Sequence, residues 1–369
     1  MKKFFILFAF LISLVTVRSE DAKPPVRIAI IGLVHDHAFG FIPLLKGRQD
    51  VELAGIVEPD QELAARYAAR FNLDTNLFYP TLKALLAKTN IQAVATFTST
   101  FDHWRVVEEC APRHIHVMME KPLAVNMEHA RAIAAAAKAG GIQIIVNYET
   151  TWYPGNHEAY KMVNDGEIGE LRRVVVHDGH RGPKEIGCSA AFLKWLTDPK
   201  LNGGGALPDF GCYGADLMTW LMAGQRPVSV FAVTKQIKPD IYPAVEDDAT
   251  VVVNYPKATG IIQASWNWSY NRKDMEVYGK TGYVLVPQAN ELRVRKGDAE
   301  EKDIHLSLPA ASGPPDNQLT YLAAVARGDI RSTGLSSLEI NLTVTEILDA
   351  ARESARTGRR IDLPKNPPR

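Results

Sequence analysis

The hydrophobic positions of this chain follow two rhythms, and the change falls near Tyr148. Before it, short apolar runs alternate with amphipathic stretches of helical spacing. The pattern predicts strands at Val26–Gly32, Val51–Val57, Ile91–Phe97, His116–Met119 and Ile142–Tyr148. Between them it predicts helices at His37–Lys46, Gln61–Phe71, Thr81–Ala87, His103–Cys110 and Met127–Ala139. Asp60 and Asn126 stand where helix caps belong, and Gly140-Gly141 closes the last helix. This order implies parallel βαβ units with right-handed crossovers and a ligand crevice at the carboxyl ends of the strands. After Tyr148 the chain is β-rich, with strands expected at Leu171–Asp178, Val228–Ile237, Ala249–Tyr255, Gly260–Trp268 and Met275–Val286. Turn-linked strands predict one mostly antiparallel sheet, which leaves a face open to a partner. A late helix, Ser336–Thr357, is expected to pack back, and Pro364, Pro367 and Pro368 mark the tail.

Length and charge narrow the classes. A chain of 369 residues exceeds one average domain, and 46% hydrophobic content is enough for two cores. Lys+Arg equals Asp+Glu at 42 each, which gives no reason to expect nucleic acid or an acidic membrane surface as partner. Lys2 and Lys3 precede the apolar run Phe4–Val17, and Val17-Arg18-Ser19 supplies small residues before a cut. Residues 1–19 therefore read as a secretory leader cleaved after Ser19, and the protein as exported, periplasmic or secreted. The run is shorter than the ~20 apolar residues of a bilayer span, so stable membrane insertion is not expected. Cys110, Cys188 and Cys212 have no metal spacing, and their odd number argues against a disulfide framework.

The first strand ends in Gly32-Leu33-Val34-His35-Asp36-His37. A dinucleotide-binding turn would carry glycine at the first, third and sixth of these positions. Gly32 keeps the tight turn; Val34 and His37 stand in place of the other two. Phosphates are expected on the following helix N-terminus, with His37 as a further donor. Glu58, at the end of the second strand, suits the ribose hydroxyls and repels a 2′-phosphate, which favours NAD over NADP. A solvated turn acid is the plainer alternative. His35-x-His37 and His114-x-His116 each place two imidazoles on one strand face, but no completing ligand stands nearby in sequence, and no metal is predicted.

Met118-Met119-Glu120-Lys121-Pro122-Leu123-Ala124 follows a strand and puts a cation at the crevice. With this Glu-Lys-Pro, the sequence resembles the Gfo/Idh/MocA family, named for glucose–fructose oxidoreductase and inositol dehydrogenase. The resemblance runs from about Val26 to Leu363. Phe97-Thr98-Ser99-Thr100-Phe101-Asp102-His103 resembles the family's loop on the nicotinamide side. Asp165-Gly166-Glu167-Ile168-Gly169 resembles the turn before its first sheet strand. Glu353-Ser354-Ala355-Arg356-Thr357-Gly358 resembles its closing helix. The resemblance implies an α/β protein: an N-terminal Rossmann domain (26–148), then an α+β domain (149–363) with an open-faced, mostly antiparallel sheet. It implies hydride transfer between NAD(P) and a sugar or polyol hydroxyl, with Gly32, Val34, His37, Glu58, Thr98, Ser99, His103, Glu120 and Lys121 at the cofactor. Lys121 would touch both the nicotinamide ribose and the reacting hydroxyl.

A second signature is Gly203-Gly204-Gly205-Ala206-Leu207-Pro208-Asp209-Phe210-Gly211-Cys212-Tyr213-Gly214-Ala215-Asp216. Asp209, Tyr213 and Asp216 share one helix face. The family has a histidine proton acceptor where Tyr213 stands. Lys121 is expected to lower the Tyr213 pKa, so that Lys121, Tyr213 and Asp209 form the catalytic set; a packed aromatic is the alternative reading of Tyr213. Tyr148, Trp152 and His180 are expected at the substrate, with Tyr153, Trp266 and Trp268 as further aromatic wall or sheet packing. The family often has an arginine where Thr151 stands, and its loss argues against an anionic substrate. The reading is an exported NAD-dependent oxidoreductase of a sugar, sugar derivative or cyclitol. Its cofactor is held tightly, because no free NAD pool exists outside the cell, and it forms a homo-oligomer through the open sheet face. A redox-neutral NAD-dependent glycosidase and a non-catalytic sugar-binding relative are the alternatives.

Overall fold

A computed structural model gives the architecture of residues 23–307 and 317–364. The expected leader, 1–19, lies outside these residues. The first domain runs β1 (Val26–Ile31), α1 (Ala38–Phe41), β2 (Val51–Val57), α2 (Gln61–Phe71), β3 (Phe78–Tyr79), α3 (Leu82–Leu86), β4 (Ala93–Thr96), α4 (His103–Cys110), β5 (His116–Glu120), α5 (Met127–Gly140) and β6 (Ile144–Asn147). Its sheet is parallel, in the order β3-β2-β1-β4-β5-β6. The order reverses between β1 and β4, which opens a crevice at their carboxyl ends. The strands read as nearly unbroken apolar runs because helices cover both faces. Asp60 caps α2 through the N–H groups of Glu62 and Leu63, and a left-handed Gly141 ends α5.

One predicted element changes in kind. The helix expected over His37–Lys46 is only the four-residue α1, followed by a 3-10 turn at Ile42–Leu45. Pro43 explains it: without an N–H, and with a ring that crowds the preceding turn, it stops the α-helix.

The second domain runs α6 (Pro154–Asn164), β7 (Leu171–Gly179), α7 (Ala190–Leu196), α8 (Ala206–Leu221), β8 (Ser229–Lys235), β9 (Asp248–Asn254), β10 (Thr259–Ser265), β11 (Arg272–Gly279), β12 (Gly282–Gln288), β13 (Glu291–Lys296), β14 (Lys302–His305), α9 (Gln318–Ala326), α10 (Leu338–Thr357) and β15 (Ile361–Asp362). The sheet order is β14-β13-β12-β11-β7-β10-β9-β8-β15, antiparallel except for the β7–β10 pair. The run expected as one strand, Met275–Val286, is two, β11 and β12, folded about Lys280-Thr281. α8 is buried along its whole length and lies on β7 and β10. On the other face, Phe231 and Val233 of β8 are exposed. α10 packs on α8 and β8 and also reaches α5 and β6, while α9 docks on β4 and β5 of the first domain. Helices α9 and α10 thus return to the Rossmann domain.

Candidate functional site

The first part of the site is the turn after β1. Gly32 has φ +76°, and a Cβ there would meet Thr98 Cγ2 at 2.6 Å, so only glycine fits. Glu58, buried at the end of β2, accepts from the N–H of Leu33 (2.8 Å) and of Asp60 (2.9 Å). Burial raises its pKa, and those two N–H groups oppose the rise. Glu58 is therefore first a brace for the turn, a role that spacing alone did not reveal. Two expectations are corrected here. With α1 only four residues long, no extended helix dipole faces the crevice. His37, expected to donate to a phosphate, instead bonds Glu120 Oε2 through Nδ1 at 2.8 Å. Val34 turns its carbonyl to Trp195 Nε1 (3.2 Å).

Trp195 belongs to a strap, residues 182–202, that leaves the second domain between β7 and α8 and crosses onto this turn. The Ser189 N–H donates to Asp36 Oδ2 (2.8 Å), and the Phe192 and Trp195 rings pack against His35. A cavity of about 450 Å³ lies between the strap and α2, lined by Leu33, Phe39, Arg66, Tyr67, Arg70 and Ala191 among others. The buried Tyr67 hydroxyl has no partner. Nearer Lys121 are two more unpartnered buried atoms. His35 Nδ1 accepts from the His37 N–H, which leaves its proton on Nε2; His103 Nδ1 faces the Leu123 carbonyl, which leaves Nε2 an acceptor. Burial pushes His103 down to about 4 and His35 down as well, so both rings are neutral. An apolar cavity with a positive rim, unsatisfied polar atoms and an acidic residue at the end of β2 fits a dinucleotide.

The second part joins the two domains. Lys121, just beyond β5, places Nζ 2.5 Å from Asp209 Oδ1 and 2.9 Å from the Asp209 carbonyl. Trp266 Nε1 holds the other carboxylate oxygen at 2.9 Å. Burial opposes both charges, but each outweighs that penalty for the other: Lys121 is held up and Asp209 held down. Asp209 is placed by the start of α8, where the glycine run lets Glu246 come close enough to cap. Glu246 Oε1 accepts from the Gly205 and Leu207 N–H groups, and a Cβ on Gly205 would strike the Glu246 carbonyl at 1.9 Å. Behind Lys121, Glu120 is fixed by His37 and by Asn147 Nδ2 (2.8 Å), and Asn147 Oδ1 takes Trp152 Nε1 (3.0 Å).

Tyr213 lies one turn after Asp209, with the Lys121 Nζ 5.2 Å from its ring centroid and the Lys273 Nζ 4.6 Å from it. Burial, then the carboxyls of Asp178 and Glu149, push its phenol well above the ordinary value. This is the reverse of the direction expected from Lys121, whose charge is spent on Asp209. Tyr213 is held as the neutral phenol rather than as a standing phenolate. Lys273 pairs with Glu149, which also accepts from the Tyr153 hydroxyl at 2.6 Å. His180 Nδ1 accepts from the Gly182 N–H (3.0 Å), and burial pushes this imidazole down to about 4.

Other expected residues divide. Thr98 supports Gly32, and Ser99 Oγ donates to Asp102 (2.7 Å). Tyr148 is fully buried and donates to Asn341 Oδ1 (2.8 Å), so it is core rather than substrate wall. Trp266 orients Asp209, and Trp152 lies edge-on to Tyr321 of α9. His114 bonds the Gly140 carbonyl and His116 the Gln143 N–H, both in packing roles. Among the described residues the three cysteines are free. The structure also brings Glu120 to the His35–His37 pair, with candidate ligand atoms within 4.8 Å of one another, a grouping invisible in local spacing. Lys273 and Glu149 were not anticipated; Asp178 lies in the stretch His177-Asp178-Gly179-His180-Arg181, which reads from sequence either as lining the pocket or as a solvated loop. The signal for Asp178 was present: it continues the inward-facing alternation Val174, Val176, where an apolar residue belongs.

A parallel sheet of order 3-2-1-4-5-6, a braced glycine turn and a buried Lys–Asp pair at the domain junction define a two-domain NAD-binding oxidoreductase. Residues 26–148 match the profile described as "Oxidoreductase family, NAD-binding Rossmann fold", and residues 156–285 that of the "GFO/IDH/MocA C-terminal domain". The chain belongs to the Gfo/Idh/MocA family. It is 23% identical over 331 residues to the trans-1,2-dihydrobenzene-1,2-diol dehydrogenase of Sus scrofa, covering 86% of this chain and 92% of that one. It is 23% identical over 338 residues to the NADP(+) scyllo-inositol 2-dehydrogenase of Bacillus subtilis, covering 89% and 96%. Against the dTDP-3,4-didehydro-2,6-dideoxy-alpha-D-glucose 3-reductase of Streptomyces antibioticus the match is 28% over 200 residues, 52% of this chain and 55% of that one, so the chain spans about half of that relative. The fold is similar to that of an aldose-aldose oxidoreductase from Caulobacter crescentus complexed with glycerol, with TM-score 0.77, 24% identity, and 92% and 100% of the two chains covered.

Proposed function

We propose that this oxidoreductase interconverts a hydroxyl and a carbonyl on a neutral sugar, sugar derivative or cyclitol and keeps its cofactor bound through turnover. The observation that carries the reading is the Lys121–Asp209 pair, buried where the carboxyl end of β5 meets α8. When bound, NAD supplies the hydride acceptor or donor. Gly32 admits the dinucleotide, Glu58 offers its remaining lone pairs to the ribose, and the His35 donor and His103 acceptor complement a primary carboxamide. Lys121 binds and polarises the reacting oxygen, Asp209 holds Lys121 in place, and Tyr213 and His180 donate to the substrate. Lys121 and Lys273 are balanced by Asp209 and Glu149, and with Thr151 in place of an arginine this favours an uncharged substrate.

The strap over the turn supports cofactor retention, which suits export; the basic start and apolar run of residues 1–19 support export itself. A cofactor that never leaves also suits a second reading, a redox-neutral glycosidase. The exposed Phe231 and Val233 support pairing of two copies through their sheets. The deciding experiment is the absorbance of NAD released on denaturing the purified protein, followed by a screen of free sugars, cyclitols and aryl glycosides. A protein that neither carries nor binds NAD would sink the reading. Intact mass from the native host tests export: a chain beginning at Glu20 is expected, and one retaining Met1 counts against it.

A further inference from the structure

The turn after β1 also gathers three groups of a different chemistry. His35 and His37 follow β1, and Glu120 closes β5; the sheet order sets these strands on either side of β4, so the three side chains meet at the carboxyl-end crevice. One ligand atom from each lies within 4.8 Å of the others. His37 Nδ1 and Glu120 Oε2 are 2.8 Å apart, and the two imidazole centroids 4.5 Å apart. Burial alone would raise the Glu120 pKa, but His37, Asn147 and Lys121 outweigh it and keep the carboxylate. His35 is 1% exposed and walled by the Phe192 and Trp195 rings, and its Nε2 has no partner among the described residues. A buried imidazole with an unsatisfied nitrogen calls for a ligand. The His37 side chain is 44% exposed, so the group opens to solvent on one side. Lys121, which would repel a cation, is neutralised by Asp209. The described residues hold one other such group, His177, Asp274 and Glu276. There Arg272 takes both oxygens of Asp274 (2.8 and 2.7 Å) and Tyr278 donates to Glu276 (2.6 Å), so a guanidinium already serves as the cation.

We propose that His35, His37 and Glu120 form a zinc-type divalent metal site that competes with the dinucleotide for the turn. Two imidazoles and one carboxylate are the donor set of a three-ligand zinc centre, with a water completing the tetrahedron. Hard ions such as Mg²⁺ and Ca²⁺ prefer all-oxygen sets. Zinc–ligand bonds of ~2.0–2.2 Å set ligand atoms about 3.3 Å apart, which the trio reaches by side-chain adjustment. The metal takes the place of the proton that His37 Nδ1 donates to Glu120; that proton leaves, and the ring takes one from solvent on Nε2. Ligation by either nitrogen of His35 gives up the bond that its Nδ1 accepts from the His37 N–H (3.2 Å). Competition follows because the same groups serve the cofactor: in the function proposed above His35 faces the carboxamide and Glu120 backs Lys121. Only the competition rests on that function; the donor set stands without it. Zinc bound first keeps the nucleotide out, and bound nucleotide keeps zinc out.

The test is a Co²⁺ titration of the full chain, stripped of nucleotide with charcoal and of metal with a chelator. The visible d–d bands of Co²⁺ report tetrahedral nitrogen and oxygen ligation, and Zn²⁺ added afterwards should bleach them. His37→Ala, at a half-exposed position, should weaken Co²⁺ binding ~100-fold, because loss of even an outer partner of a metal site costs about 10–100-fold. Glu120→Gln should act in the same direction, and His177→Ala should leave binding unchanged. The site is overturned if no tetrahedral spectrum develops, if the spectrum survives both His37→Ala and Glu120→Gln, or if it is lost in His177→Ala. Saturating NAD should lower the apparent Zn²⁺ affinity, and Zn²⁺ the NAD affinity, by one and the same factor of ~10 or more. Unchanged Zn²⁺ affinity in a chain that binds NAD would overturn the competition. A chain that binds Co²⁺ as expected but no NAD would remove the oxidoreductase reading and the competition with it, while the metal site stands.

Discussion

At the scale of single residues, burial decides which charges the site keeps. Lys121 and Asp209 remain ionised because each is the other's compensation. Lys121→Ala should lower turnover ~10²–10⁴-fold and, by stranding a buried carboxylate, cost about 3–5 kcal/mol of stability. Lys121→Ala combined with Asp209→Ala should be less destabilised than Lys121→Ala alone, and thermal unfolding of the variants checks this. Asp216 behaves oppositely. It is fully buried, neither oxygen has a partner, and burial holds its carboxyl well above the ordinary value. Between its unfolded pKa (~3.9) and its raised folded value the native state binds the extra proton. Its contribution is thus complete at low pH and is lost as pH rises through the folded value. Asp216→Asn should flatten the alkaline side of the melting-temperature profile, and a profile parallel to the wild type would refute the assignment.

At the scale of elements, the turn after β1 is held by its neighbours more than by its own helix. Glu58 braces it from β2 and the strap clamps it from the second domain. Glu58→Ala removes the acceptor of two backbone N–H groups, that of Leu33 being buried, as well as the proposed ribose contact. NAD binding should weaken by about 1.5–3 kcal/mol, measured by calorimetry, with a fall in melting temperature even in apoprotein. Trp195→Ala should cost about 3–5 kcal/mol as a cavity and free the Val34 carbonyl. Bound NAD should then dissociate faster, and dialysis of the loaded protein measures it; unchanged retention would show that the strap does not guard the cofactor. Local pattern located β2, α2, α4 and α5 closely, because each carries its own period and caps. It overran α1, where Pro43 overrides an amphipathic pattern, and it fused β11 with β12, because alternation continues across a tight turn.

At the scale of the whole molecule, one sheet face is covered by α8 and α10, and the other shows apolar side chains in alternating positions. The proposed pairing through this face predicts that Phe231→Glu with Val233→Lys leaves a monomer in sedimentation and changes the melting temperature little, since both side chains are exposed in the single chain. A wild-type chain that sediments as a monomer would remove the pairing.

The sequence by itself determined the two rhythms, the parallel first sheet, the place of the glycine turn, and the presence of Lys121, Asp209 and Tyr213. These follow from residue order within one element, where side-chain period and caps act over a few positions. Only the tertiary structure decided what those groups are bonded to. It turned His37 onto Glu120, put Tyr148 in the core, spent the Lys121 charge on Asp209 and surrounded Tyr213 with Asp178, Glu149 and Lys273. The reason is physical: a charge's state depends on its desolvation and on neighbours a few ångströms away, and here those neighbours come from strands and helices far apart in the chain.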